Sequence, residues 1–75
     1  MKQTQKFTAI IEREDDGYVS LCPELDIASQ GLTREEAQAN LVEAIELFLE
    51  VADPGEITKR LTKETFVTQL EVNIG

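Results

Sequence analysis

The residues whose type and spacing come nearest to chemistry are Glu12, Glu14, Asp15 and Asp16, crowded just before Gly17. Their carboxylates are the hard oxygen donors that Mg²⁺ or Ca²⁺ takes. The spacing fits no recognisable loop, however, and the Ca²⁺ pattern of glycine at the sixth position and glutamate at the twelfth is absent. They read as a solvated turn. Paired carboxylates for acid–base catalysis need a cleft that drives two pKa values apart, and one helix on one thin sheet offers little depth for that. The chain has no histidine and a single cysteine, Cys22. That composition argues against a zinc site, a thiol–imidazole nucleophile and a serine–histidine triad together. Cys22 reads as a small buried hydrophobe with no second thiol to resolve it. Tyr18, the only tyrosine, packs on the sheet or anchors an interface. Lys59, Arg60 and Lys63 form the only basic cluster, too small to set apart from ordinary surface, and no glycine-rich phosphate loop is present. Residue chemistry therefore gives a non-catalytic acidic binding module with no cofactor.

The element that must position these residues is a helix from Thr33 to about Val51. Thr33 is placed to cap its first turn and Glu36, three residues on, to complete a capping box, with Leu32 stapling the entry. Glu35 and Glu36 sit where the helix dipole favours carboxylates. Asp53-Pro54-Gly55 ends it. At about 100° per residue, Ala37, Leu41, Ala44, Ile45, Phe48 and Ala52 share one face. Leu47 and Val51 flank it on one side, Val42 and Leu49 on the other. Glu35, Glu36, Glu43, Glu46 and Glu50 occupy the opposite face. The apolar arc spans roughly 200° against the ~100° a surface helix needs, which leaves a flank for a second partner.

Before the helix the spacing predicts strands over Lys6–Glu12, Tyr18–Cys22 and Asp26–Gln30. Asp16-Gly17 suits a hairpin, and Pro23 stops the second strand. After it, EITKRL suits one loose helical turn, and Thr65–Ile74 alternates as a strand. Phe66, Leu70, Val72 and Ile74 fall on one side with Thr68; Val67 falls on the other. The order β-β-β-α-β is a two-layer α+β sandwich, a small antiparallel sheet with one main helix.

With 75 residues, the expectation is a single domain over 1–75 that buries only about 60% of its unfolded surface. The lone cysteine makes a reducing cytoplasm the expected compartment, and the N-terminus has no signal-peptide core and no segment approaches a membrane span. Net charge is −8, and from Glu12 to Glu56 thirteen of the fifteen acids meet only Arg13 and Arg34. Such a field repels phosphate backbones and attracts a basic partner.

One stretch carries more. Asp16-Gly17-Tyr18, Cys22-Pro23-Glu24-Leu25, Gly31-Leu32-Thr33, Glu36-Ala37, Asn40 and Glu43-Ala44-Ile45 stand in an order and spacing that resembles the HicB-like antitoxin family. The resemblance covers Tyr18 to Glu50 continuously. It implies a partial ribonuclease-H-like fold and a function: binding and occluding a small basic HicA-type toxin, an mRNA-cleaving ribonuclease. Many family members continue into an operator-binding domain. This sequence ends at Gly75 with no basic recognition helix, so a stand-alone member without direct nucleic-acid binding is expected. The competing reading is an orphan non-catalytic oligomeric module that binds a metabolite or protein; an enzyme ranks third. Candidate toxin-binding residues are Glu43, Glu46, Glu50, Asp15, Asp16, Glu24 and Asp26. A short core, a wide apolar arc and open sheet edges also point to a homo-oligomer, most simply a dimer, burying Leu47, Val51 or Val67.

Overall fold

A computed structural model describes residues 5–75. Three antiparallel strands, β1 (Ile10–Glu14), β2 (Gly17–Cys22) and β3 (Ile27–Gly31), lie in the order β1-β2-β3. Helix α1 (Arg34–Val51) packs across this sheet, chiefly on β3 and β2, and a short α2 (Pro54–Leu61) follows. The protein is an α+β fold with its long helix on the sheet.

The register sorts the side chains. Ile11 pairs with Ser20 and Ser20 with Ser29, while Ile10, Leu21 and Ala28 form the neighbouring row. Because directly opposed residues share a face, Tyr18, Ser20 and Cys22 look toward α1, and Val19 and Leu21 look away. The core is Cys22, Leu25, Leu41 and Ile45, with Phe7, Ile27 and Phe48 packed partly against it. Ala37 is also fully buried. Among the described residues Ser20 is the one buried polar residue, and its hydroxyl donates to the Ala37 carbonyl at 2.9 Å. That bond ties β2 to the first turns of α1 without leaving a buried polar atom unpaired.

The helix start behaves as half of a capping box. The Glu36 amide donates to Thr33 Oγ1 at 3.0 Å. The Glu36 carboxylate, however, accepts from the Leu32 amide at 3.0 Å rather than from Thr33. Leu32 itself is 73% exposed, so the expected staple does not form. Gly31 pairs with Tyr18 where β3 passes beneath this turn. A Cβ there would lie 2.5 Å from the Ala37 nitrogen, which makes glycine obligatory for so close an approach.

Three further expectations need correction. The hairpin turn is centred on Asp15-Asp16, because Gly17 already pairs with Glu14 inside β2. Asp15 takes the left-handed conformation at φ 51°, which a short polar side chain tolerates. The loose turn after Asp53 is a helix in its own right: Pro54 stands at its first positions, where its missing amide costs nothing, and Lys59 and Arg60 fall in its last turn, where the dipole favours cations. Finally, Thr65–Ile74 forms no strand. A strand requires an edge to pair with, and α2 delivers this segment to solvent rather than to β1 or β3, leaving Ile74 98% exposed.

Candidate protein-docking surface

The acids separate into three groups once the chain is folded. Glu43, Glu46 and Glu50 recur at i, i+3 and i+7, which stacks them along the solvent ridge of α1, and all three are exposed. No basic residue lies inside α1 after Arg34 to neutralise them. The second group lies where the β1–β2 hairpin meets the start of α1. There Glu14, Asp15, Asp16 and Glu36 rim an open concavity of about 540 Å³, with Tyr18 and Asn40 in its wall. The Asn40 amide donates to the Gln30 carbonyl at 2.7 Å, fixing α1 against β3. Asp26, exposed and at φ 55°, shapes the β2–β3 turn at the opposite end of the meander.

Glu24 stands apart from these. Its carboxylate accepts the Thr8 amide at 3.0 and 3.1 Å and the Thr8 hydroxyl at 2.6 Å, and the Cys22 thiol donates to it at 3.4 Å. The side chain closes the turn after β2 onto the segment that leads into β1. Burial pushes its pKa upward, but the Thr8 hydrogen bonds outweigh that and hold it below the ordinary carboxylate value. Glu24 thus spends its charge inside the fold. Cys22 is buried at its side; desolvation first, then the neighbouring Glu24 carboxylate, raises its thiol pKa. A protonated, enclosed thiol is a poor nucleophile.

The basic cluster also divides. Arg60 turns inward: its guanidinium lies 4.6 Å from the Phe48 ring centroid, Nη1 donates to the Leu25 carbonyl, and Nε meets Glu56 at 3.0 Å. It pins α2 to α1 and to the turn that carries Leu25. Sequence spacing gave no signal for this role, because a lone arginine in a polar helix looks like any other. Similarly, Cys22-Pro23-Glu24-Leu25, Gly31 and Asn40 are the staples of the fold: one buried thiol, one clamped carboxylate, one buried leucine, one close approach and one helix-to-strand bond.

Leu47, Val51 and Val67 are 59%, 70% and 62% exposed, so all three are accessible on the single chain. Among the described residues no group of three or more histidine, cysteine, aspartate or glutamate side chains is arranged to hold a metal ion. Among them, too, no helix is long and apolar enough to cross a membrane.

Fold and surface together define a small α+β domain with a bare acidic ridge and an acidic hairpin rim. The chain belongs to the UPF0150 family. It is 35% identical over 65 residues to a UPF0150 protein of Helicobacter pylori, a match that covers 85% of this chain and 90% of that one. Two UPF0150 proteins of Synechocystis are 49% identical over 51 residues and 51% identical over 47. The matched stretch spans 65% of the length of each Synechocystis relative. No family model and no solved structure matches the chain.

Proposed function

We propose that this chain is a HicB-like antitoxin, acting in the cytoplasm without catalysis of its own, that binds and occludes a small basic HicA-type mRNA-cleaving toxin. The observation that carries the reading is the α1 ridge: Glu43, Glu46 and Glu50 are exposed and aligned, with no base on their helix after Arg34. A ridge of that kind steers a cationic partner and fixes its register by charge. The hairpin acids Asp15 and Asp16 extend the same field, with Tyr18 beside them as an aromatic contact. Glu24 is removed from the contact set because its carboxylate is engaged with Thr8. Membership of UPF0150 and the run of motif residues from Tyr18 to Glu50 support the assignment. The test is neutralisation. The protein, added in stoichiometric amount to a small basic HicA-type ribonuclease from the same genome, abolishes RNA cleavage and co-elutes with it. Undiminished cleavage with no complex would rule the function out.

A further inference from the structure

The C-terminal segment Thr65–Ile74 has the sequence of a strand and the surroundings of none. Phe66, Leu70, Val72 and Ile74 alternate with polar neighbours, yet all are largely exposed. Among the described residues the segment's hydrogen bonds are local: the Thr65 hydroxyl to the Lys63 carbonyl and the Thr68 hydroxyl to the Gln69 carbonyl. It also leads away from the body. The radius of gyration is 14.6 Å and the long axis 50 Å, where a compact chain of this length has a radius of about 11 Å.

The same chain carries a vacancy of matching shape. Beside the residues that lead into β1 runs a groove of about 610 Å³ lined by Phe7, Leu41, Val42, Ile45 and Leu49. One wall is the leftover flank of α1. The other is the stretch 5–9 that leads into β1, and the outer edge of β1 itself pairs with no strand among the described residues. A strand added to that edge would turn alternate side chains toward α1 and the rest toward the open face of the sheet. Thr65–Ile74 has the required pattern: Phe66, Leu70, Val72 and Ile74 for the groove, and Gln69, Glu71 and Asn73 for the wet face.

We propose that Thr65–Ile74 of one copy adds as a fourth strand to the β1 edge of a second copy, running on into the groove between the lead-in to β1 and α1, and that the exchange is reciprocal. Arm and groove occur on every chain, so a two-fold exchange closes the assembly and leaves neither unpartnered. Two ten-residue arms with the surfaces that receive them reach the size of a standard interface, on the order of 1,600 Å². Val67 is then carried to the outer face of the sheet beside Ile10 and Leu21, while Leu47 and Val51 remain at the margin. The contact places the segment in the fourth position of the sheet, supplied in trans.

Two measurements test it on the full chain. Sedimentation at micromolar concentration yields a dimer, and Leu70→Asp weakens its dissociation constant by tenfold or more with the helical circular dichroism unchanged. In a mixture of ¹³C-labelled and unlabelled chains, isotope-filtered NOE spectra connect Phe66 and Leu70 of one copy to Phe7 and Leu49 of the other. A monomer, an arm whose contacts lie within its own chain, an arm that pairs only when a toxin is added, or a dimer indifferent to Leu70→Asp would each overturn the proposal.

Discussion

Replacing Glu24 with alanine removes the acceptor for the Thr8 amide and hydroxyl at once. Each hydrogen bond to a charged group contributes roughly 1.5–3 kcal/mol when sheltered. The carboxylate is only half-buried, so solvent screening discounts the pair to a total of about 2 kcal/mol. For a chain of this size that lowers the melting temperature by about 10 °C. Glu24→Gln keeps one acceptor oxygen and loses the charge, which costs about half as much. The clamp also has a definite pH signature. The folded pKa of Glu24 lies below its unfolded value, so its stabilisation is fully present above the unfolded pKa and fades as pH falls through the folded one. Thermal melts of parent and Glu24→Gln should therefore differ at pH 7 and converge in strong acid. Thr8→Val, measured in the same series, should lower the melting temperature less and couple with Glu24→Gln in a double-mutant cycle. Identical melts of parent and Glu24→Gln at pH 7 would refute the clamp and return Glu24 to the pool of surface acids.

Gly31→Ala should destabilise by about 3 kcal/mol by denaturant unfolding, because its Cβ would sit 2.5 Å from the Ala37 nitrogen, where backbone on both sides must move. Arg60→Ala should cost about 1–2 kcal/mol by releasing the Leu25 carbonyl and the Phe48 ring, and Arg60→Lys should recover little of it.

The parts of the fold legible in the sequence were those set by short-range rules. The α1 boundaries follow from the Thr33 cap and the Asp53-Pro54 stop, and its buried face from 3.6-residue spacing through Ala37, Leu41 and Ile45. The meander followed from three β-rich runs, with β1 displaced toward the hairpin because Asp15-Asp16, not Asp16-Gly17, makes the turn. The positions missed depend on partners remote in sequence. Glu24 meets Thr8 sixteen residues away and Arg60 meets Leu25 thirty-five away, and no local pattern announces either. The full extent of the helix at Pro54 is hidden in the sequence because its polar composition conceals the inward pull of a single arginine. Thr65–Ile74 alternates as a strand would, but a period of two states only that a strand can form. It does not say which edge, or whose, will receive it.

Binding kinetics with a basic HicA-type toxin decide whether the α1 ridge is the toxin-docking surface. Glu43→Lys, Glu46→Lys and Glu50→Lys are combined in one chain and compared with the parent at low and at physiological salt. These side chains are solvent-exposed, so the fold should be unaffected. Their reversal should slow association by roughly 10–100-fold at low salt, and the difference should shrink as salt screens the charges over about 10 Å. If the triple variant binds and neutralises the toxin as fast as the parent at every salt concentration, the ridge is not the docking surface.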